Sequence, residues 1–98
     1  MAIRVIIERQ TIPGNELQLN SLLMALRSKA MHAKGYISGE TLRNFEKPEE
    51  FLVISSWQSS QDWKNWLASR DRKELQSKID QLLGGETTYE VYHYGFTG

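Results

Sequence analysis

The chain has 98 residues with 12 basic and 12 acidic side chains, which gives a formal charge of zero. This length predicts a single domain, residues 1–98, with one hydrophobic core. The charge balance argues against nucleic acid or an anionic membrane as a partner, and the absence of cysteine excludes disulfides and thiolate chemistry. Neither a signal-peptide pattern nor a membrane-length apolar run is present, so we expect a cytoplasmic protein.

The first two predicted elements are a strand and a helix. Ile3, Val5 and Ile7 occur at alternate positions, the period of a strand with one buried face, and Ile6 adds an apolar group to the other face. A Pro-Gly-Asn turn leads to a helix whose apolar residues are spaced three and four apart. This stripe comprises Leu19, Leu22, Leu23, Leu26 and Ala30. Gly35 supplies the left-handed residue that commonly follows a helix.

Two more strands are predicted at 36–45 and 51–57. The Lys-Pro-Glu-Glu turn between them is short enough for an antiparallel hairpin. Gly39, inside the first of these strands, indicates either a bulge or a point where another group approaches the backbone closely.

All three tryptophans lie close together, around the end of the third strand and the helix after it. Ser59 and Asp62 resemble a capping box that opens this helix. Trp63 and Trp66 are three residues apart and therefore share one helix face. We expect one of them to fill the core and the other to border a cavity, whereas Trp57 is expected to be a core residue.

A second helix and a fourth strand complete the chain. Asp71 with Glu74 indicates a helix start, and the segment 87–96 is rich in aromatic and β-branched residues, as strands are. The resulting order is β-α-β-β-α-α-β. This order predicts an α+β fold of the ferredoxin-like split βαβ type, with helices on one face of a four-stranded antiparallel sheet.

Bulky side chains occupy both faces of the first and last strands. On the last strand, Tyr89 and Val91 alternate with Tyr92, Tyr94 and Phe96. The helices can cover only one face, and a chain of this length has nothing left to cover the other. We therefore expect a homodimer that buries the open face of the sheet.

Three segments together resemble the antibiotic biosynthesis monooxygenase (ABM) domain. They are Lys34-Gly35-Tyr36 before the second strand, Lys47-Pro48-Glu49-Glu50-Phe51-Leu52-Val53 at the hairpin, and Ser56-Trp57-Gln58-Ser59 before the aromatic helix. The resemblance covers nearly the whole chain and implies a dimeric α+β barrel. Because the superfamily includes quinol monooxygenases as well as IsdG-type haem-degrading enzymes, the resemblance alone leaves the activity open.

The haem-degrading branch combines an Asn near the end of the first strand, a Trp in the short helix and an axial His. In this chain Trp66 matches the Trp position, whereas Glu8 replaces the Asn and Gln76 stands close to the His position. Glutamine cannot replace imidazole as an iron ligand. Haem binding therefore ranks below the other functions considered.

The cofactor-independent monooxygenases of the superfamily take electrons from the deprotonated aromatic substrate itself, so no cofactor is expected. The protein supplies an apolar cleft, a base and positioning groups. By this resemblance Trp63, Trp66 and Tyr92 are candidate substrate-binding residues. Glu8 is the candidate catalytic base, because a carboxylate that faces a tryptophan-lined cleft can accept a proton near neutral pH. The expected substrate is a small aromatic or quinol-like molecule.

An alternative function is non-catalytic. The monooxygenases often carry a His at or beside the position of Trp66, and this chain has none there. A binding or sensing module with the same fold and cleft is therefore the second hypothesis. The two histidines of the chain, His32 and His93, show no metal-ligand spacing with acidic residues, so we interpret them as structural and expect no metal site.

Overall fold

The computed structural model describes residues 1–94 and has four strands and three helices in the predicted order. These elements are β1 (Ile3–Gln10), α1 (Glu16–Met31), β2 (Tyr36–Arg43), β3 (Glu50–Trp57), α2 (Ser60–Ala68), α3 (Arg70–Asp80) and β4 (Thr88–His93). The strands form one antiparallel sheet in the order β2-β3-β1-β4. The ferredoxin-like α+β fold expected from the sequence is thus confirmed. Within the described residues, no helix has the length and apolar character needed to cross a membrane.

The alternation of β1 decides which side chains face the helices. Ile3, Val5 and Ile7 are at most 8% exposed. They pack with Trp57 and Trp63 in the main core cluster. The residues between them point to the other side of the sheet, which no described helix covers. We call this side the open face.

A second core cluster joins α1 to α3. Leu19, Ile79 and Leu83 are buried there, surrounded by partly buried leucines of the same stripes. These leucines are Leu22, Leu23, Leu26 and Leu82. Because complete burial of an aliphatic side chain stabilises a fold by about 1.5–3 kcal/mol, this cluster holds α1 against α3.

One residue separates α2 from α3. At the start of α2, Asp62 N donates a hydrogen bond to Ser59 Oγ over 3.1 Å, as the capping pattern predicted. Ser69 ends α2 and also caps α3, because its Oγ accepts a hydrogen bond from Arg72 N at 3.3 Å. The helix start predicted at Asp71 is corrected accordingly: the serine hydroxyl two residues earlier satisfies one of the first free N–H groups of the helix.

Gly35 allows α2 to pack closely on the segment that leaves α1. Its φ is +87°, in the left-handed region expected after a helix. A Cβ atom at this position would overlap the side chain of Asp62. The Gly35 carbonyl also accepts a hydrogen bond from Gln58 N over 2.7 Å. The residue is therefore required for its conformation and for its lack of a side chain.

Gly39 is a position where another side chain approaches the backbone closely. The β-bulge of β2 lies elsewhere, near the N-terminal end of the strand. A Cβ atom at Gly39 would lie 2.7 Å from the hydroxyl oxygen of Tyr36. The register of β2 against β3 shifts between Tyr36 and Ser38. The Gly39 carbonyl accepts a hydrogen bond from Arg27 Nη2 over 3.0 Å, which ties α1 to the edge strand.

Two strands are shorter than predicted. β2 ends at Arg43 rather than at residue 45, because the Asn44 side chain accepts hydrogen bonds from two following backbone N–H groups and so begins the turn. β4 runs from Thr88 to His93. Phe96, at the end of the predicted strand, lies outside the described residues.

Candidate functional site

A cavity of about 290 Å³ lies between α1 and the sheet. Its walls come from α1 on one side and from β1, β2 and β3 on the other, and α2 adds two aromatic rings. The apolar lining comprises Ile7, Phe51, Val53 and Trp57 from the sheet, Leu23, Leu26 and Ala30 from α1, and Trp63 and Trp66 from α2. An apolar cavity near the lower end of the range of roughly 300–1,000 Å³ suits a small ligand.

The three tryptophans form one aromatic group at this cavity. Trp57 is 1% exposed and its Nε1 donates a hydrogen bond to Ser55 Oγ over 3.2 Å. The Trp63 ring stands at 62° to that of Trp57, with centroids 5.8 Å apart. Trp66 stacks on Trp57 at 26° and 6.2 Å. Trp63 belongs to the buried cluster and Trp66 is only partly buried, so Trp66 is the most accessible of the three tryptophans.

A buried cation also lines the cavity. Arg9 is 6% exposed because it occupies the same face of β1 as Ile7. Its Nη2 donates a hydrogen bond to Gln76 Oε1 over 3.0 Å, and its buried Nε has no acceptor. Gln76 in turn donates from Nε2 to Asp80 Oδ1 at 2.7 Å and to Thr87 Oγ1 at 3.2 Å. Burial is the largest cause of a shift that lowers the pKa of Arg9.

A second buried guanidinium, that of Arg72, is satisfied by the fold. Arg72 donates from Nη1 to the Leu67 carbonyl over 3.0 Å and from Nη2 to the Tyr89 hydroxyl. Its guanidinium carbon also lies 5.3 Å from the centroid of the Tyr89 ring, within cation–π range. Arg72 therefore has a structural role that its contacts explain.

The structure does not bring the four predicted site residues together. Trp63 and Trp66 line the cavity, whereas Glu8 and Tyr92 lie on the open face. Glu8 pairs with Thr88 of β4, whose Oγ1 donates to Glu8 Oε2 over 3.4 Å. The predicted position of Glu8 beside the tryptophans is wrong, because period-two alternation turns it away from the face that carries its neighbour Arg9. Any catalytic role of Glu8 stays a prediction, and it would have to be exerted at the open face.

Tyr92 is also displaced from the cavity by its place on β4. It pairs with Arg4 on the open face and is 52% exposed. Its hydroxyl donates a hydrogen bond to the Glu90 carboxylate, and this bond raises the pKa of Tyr92. A substrate contact by Tyr92 therefore requires a ligand or partner on the open face, and the predicted contact within the cavity is corrected.

The described residues offer no imidazole to an iron or another metal at the cavity. His32 follows α1 and hydrogen bonds through Nδ1 to the Ser28 carbonyl at 2.8 Å, and His93 lies exposed near the end of β4. Gln76 is already held by Arg9 and Asp80. No cluster of three or more metal-ligating side chains occurs in the described range. The residues present therefore do not fit a haem held by an axial His.

Sequence reasoning missed Arg9 although a signal for it exists. The alternation that buries Ile3, Val5 and Ile7 continues to Arg9, so the pattern itself predicts an arginine on the covered face. Charged residues are rarely fully buried without a partner. An arginine in the phase of a buried stripe is therefore a candidate functional residue.

These observations define an α+β protein with an aromatic cavity under its first helix. A family model for antibiotic biosynthesis monooxygenase matches residues 2–78. The chain therefore belongs to the antibiotic biosynthesis monooxygenase family. A search of curated protein sequences found no match.

Solved structures of the same fold support this assignment. A conserved protein from Methanosarcina mazei Go1 superposes with a TM-score of 0.90 at 22% identity, over 97% of this chain and 94% of that one. A variant of SnoaB, a cofactor-independent oxygenase from Streptomyces nogalater, gives 0.86 at 12% identity, over 98% and 95%. Rv0793 from Mycobacterium tuberculosis gives 0.87 at 15% identity, over 99% and 98%. At these identities the likeness concerns the fold.

Proposed function

We propose that this protein binds a small aromatic or quinol-like molecule in the cavity under α1 and oxygenates it without a cofactor. The observation that carries the proposal is the partly buried ring of Trp66, stacked on Trp57 in an otherwise apolar cavity. Aromatic rings bind well against such a surface. Membership of the family and the cofactor-independent oxygenase among the structures of the same fold support the reaction type.

The proposed reaction needs no external reductant. A phenol that loses its O–H proton and one ring C–H hydrogen to O₂ gives a quinone and one molecule of water. One oxygen atom enters the ring as a carbonyl, the other leaves in the water, and all the electrons come from the substrate. The residues of the chain hold the ring, exclude bulk water and favour the phenolate.

We also propose that the protein is a homodimer through the open face. Ile6, Leu52 and Ile54 are only partly buried there, and Leu42 and Tyr92 are 45% and 52% exposed. Large exposed apolar patches are characteristic of interaction sites. A dimer would bury these side chains together, with Glu8 at the interface.

The second candidate is a non-catalytic binding or sensing module. It is favoured by the position of Glu8 on the open face, which removes the predicted base from the cavity. Among the described lining residues there is no histidine, and the one carboxylate, Glu40, is exposed on the edge strand. Such a module would keep the ligand site and lack turnover.

The test combines binding with oxygen uptake. The wild-type protein is titrated with hydroquinones and polycyclic phenols while tryptophan fluorescence and dissolved oxygen are followed. The enzyme hypothesis expects a fluorescence change together with oxygen consumption in proportion to quinone formed. Ligand binding without oxygen consumption would identify the protein as a non-catalytic binding module. If no compound of the panel binds or is oxidised, the tryptophans are only core residues.

A further inference from the structure

Arg9 places a positively charged guanidinium group among the mostly apolar residues that line the cavity. It occupies a β1 position that the strand's alternation assigns to the core, and the position before it in that phase, Ile7, is aliphatic. Taking a guanidinium out of water costs several kcal/mol unless a partner compensates. The question is therefore what compensates it.

The described part of the chain supplies only part of that compensation. Gln76 accepts one hydrogen bond from Arg9, and the buried Nε–H has no acceptor. A buried donor without a partner costs about 1–3 kcal/mol. None of the ion pairs found within 4.0 Å among the described residues includes Arg9. Burial lowers the pKa of Arg9, and Asp80, which is hydrogen-bonded to Gln76, acts on Arg9 as a nearby negative charge that raises this pKa.

The comparison with Arg72 shows that a buried arginine in this fold can have several partners, so the missing partner of Arg9 is specific to its position. Both arginines are buried, with residue exposures of 6% for Arg9 and 8% for Arg72. Arg72 has a carbonyl, a hydroxyl and an aromatic face as partners. Of these two arginines, Arg9 is the one that lines the cavity under α1. The unpaired charge thus coincides with the ligand site.

We infer that Arg9 is an anion-binding residue that selects aromatic ligands carrying an ionised oxygen, a carboxylate or a phenolate. This inference rests on the proposed function, since it assumes that the cavity accepts an aromatic ring. A charge-assisted hydrogen bond in a site shielded from water is stronger than a neutral one. A nearby cation also favours the ionised form of a phenol. Arg9 would thereby prepare the electron-rich phenolate that oxygen attacks.

The test compares two probes that differ in charge and little in shape, 2-naphthoate and 2-naphthamide, by isothermal titration calorimetry. A hydrogen bond to a charged group contributes about 1.5–3 kcal/mol, so the wild-type protein should bind the naphthoate at least about tenfold more tightly. Arg9→Met removes the charge and keeps much of the stem. It should abolish this preference and change naphthamide affinity by no more than about twofold.

Arg70→Met is the matched control. Arg70 is an exposed arginine of α3 that is not among the residues lining the cavity, and its Nε donates to Glu74 Oε1 over 3.2 Å. The preference for naphthoate should survive this substitution. Arg9→Lys provides a second variant that keeps the charge and loses the planar fork; it should retain a reduced preference.

4-Nitrophenol distinguishes the phenolate from the carboxylate as the ion that is bound, because its phenolate absorbs visible light. Below its solution pKa the wild-type protein should enrich the phenolate band, and Arg9→Met should not. Naphthoate preference without this enrichment would restrict the site to carboxylates.

Three results would overturn the inference. Equal affinities of the two naphthalene probes in the wild-type protein would overturn it and leave the aromatic cavity standing. A preference that persists in Arg9→Met would do the same. Failure of both probes to bind would remove the proposed ligand site together with the inference.

Discussion

Trp66 stacks on Trp57 with ring centroids 6.2 Å apart and 26° between the ring planes. Trp57 is fixed on its other sides, because Tyr36 meets it edge-on at 5.4 Å and its Nε1 is bonded to Ser55. A partner held in this way fixes the orientation of Trp66. The aromatic wall of the cavity is therefore preorganised, and under the proposed function this reduces the entropy lost on binding of an aromatic ring.

Substitution of Trp66 should affect binding more than folding. Trp66→Ala should weaken binding of 2-naphthamide by about 1 kcal/mol, roughly fivefold, because an aromatic contact is lost. Trp66→Phe should recover most of this affinity. Trp57→Phe, in the core, should instead lower the free energy of unfolding. Titration calorimetry and urea denaturation measure the two effects, and unchanged affinity in Trp66→Ala would contradict the proposed ligand contact.

The two glycines with positive φ should differ in their tolerance of alanine. Gly14 has a φ of +98° and open space where an added methyl group would lie, so Gly14→Ala should cost about 1–2 kcal/mol from backbone strain alone. Gly35→Ala should cost more, since its methyl group would also overlap Asp62. Asp62→Ala in the Gly35→Ala background should recover part of the difference. Equal losses for the two glycines by urea denaturation would disprove the steric argument.

Haem should bind weakly and without defined stoichiometry. The family resemblance predicts that the axial His of the haem-degrading branch lies close to Gln76, and the Gln76 side chain is hydrogen-bonded to Arg9 and Asp80. Gln76→His should strengthen haem binding if this position is equivalent, because it supplies an imidazole. The substitution should also lower stability, because Arg9 loses its acceptor. Absorption spectra during haem titration test this, and a sharp Soret band at one haem per wild-type chain would refute it.

Sedimentation equilibrium at micromolar concentration should give a dimer. The interface should exceed roughly 1,000 Å², the area expected of a biological contact. Ile54→Arg places a charge in the middle of the open face and should shift the equilibrium to the monomer. Leu17→Arg, at an 89% exposed position of α1, should leave the dimer intact. A wild-type monomer, or equal effects of both substitutions, would exclude this interface.

Glu8→Gln tests whether Glu8 is the catalytic base, as predicted from the sequence, or a residue of the open face without a catalytic role. From its place on the open face, we expect the variant to bind phenols and consume oxygen within about twofold of the wild-type protein. Loss of a positioned base typically lowers the rate on the order of a hundredfold. If the rate of oxygen consumption, measured with an oxygen electrode, falls by that factor while the variant remains a dimer, Glu8 is the catalytic base.

The fold was predictable because local and long-range signals agree. The alternation of β1, the leucine stripe of α1 and the capping serine of α2 each indicate one structure, and they are mutually compatible. The errors occur where two signals compete. Asp71 and Ser69 can each cap a helix, and only the observed end of α2 decides between them.

The site was less predictable because it depends on which face a strand residue occupies. Glu8 and Arg9 are adjacent in sequence, and a shift of one residue exchanges the cavity for the open face. The resemblance to haem-degrading enzymes drew attention to Glu8, while the period of the strand indicated Arg9. The hydrogen-bond partner of Arg9 lies 67 residues away in the chain, beyond the range of any local pattern.

Ser69 is both the C-cap of α2 and the N-cap of α3. Because the two helices share this one residue, the number of residues between a side chain on α2 and one on α3 determines how the two are oriented relative to each other. An inserted residue within α2 would turn the helix by about 100°, so that either Trp63 would leave the core or α3 would rotate Gln76 away from Arg9. The fold can therefore accommodate insertions and deletions at the β2–β3 turn or before β4. It cannot accommodate them between Trp57 and Gln76.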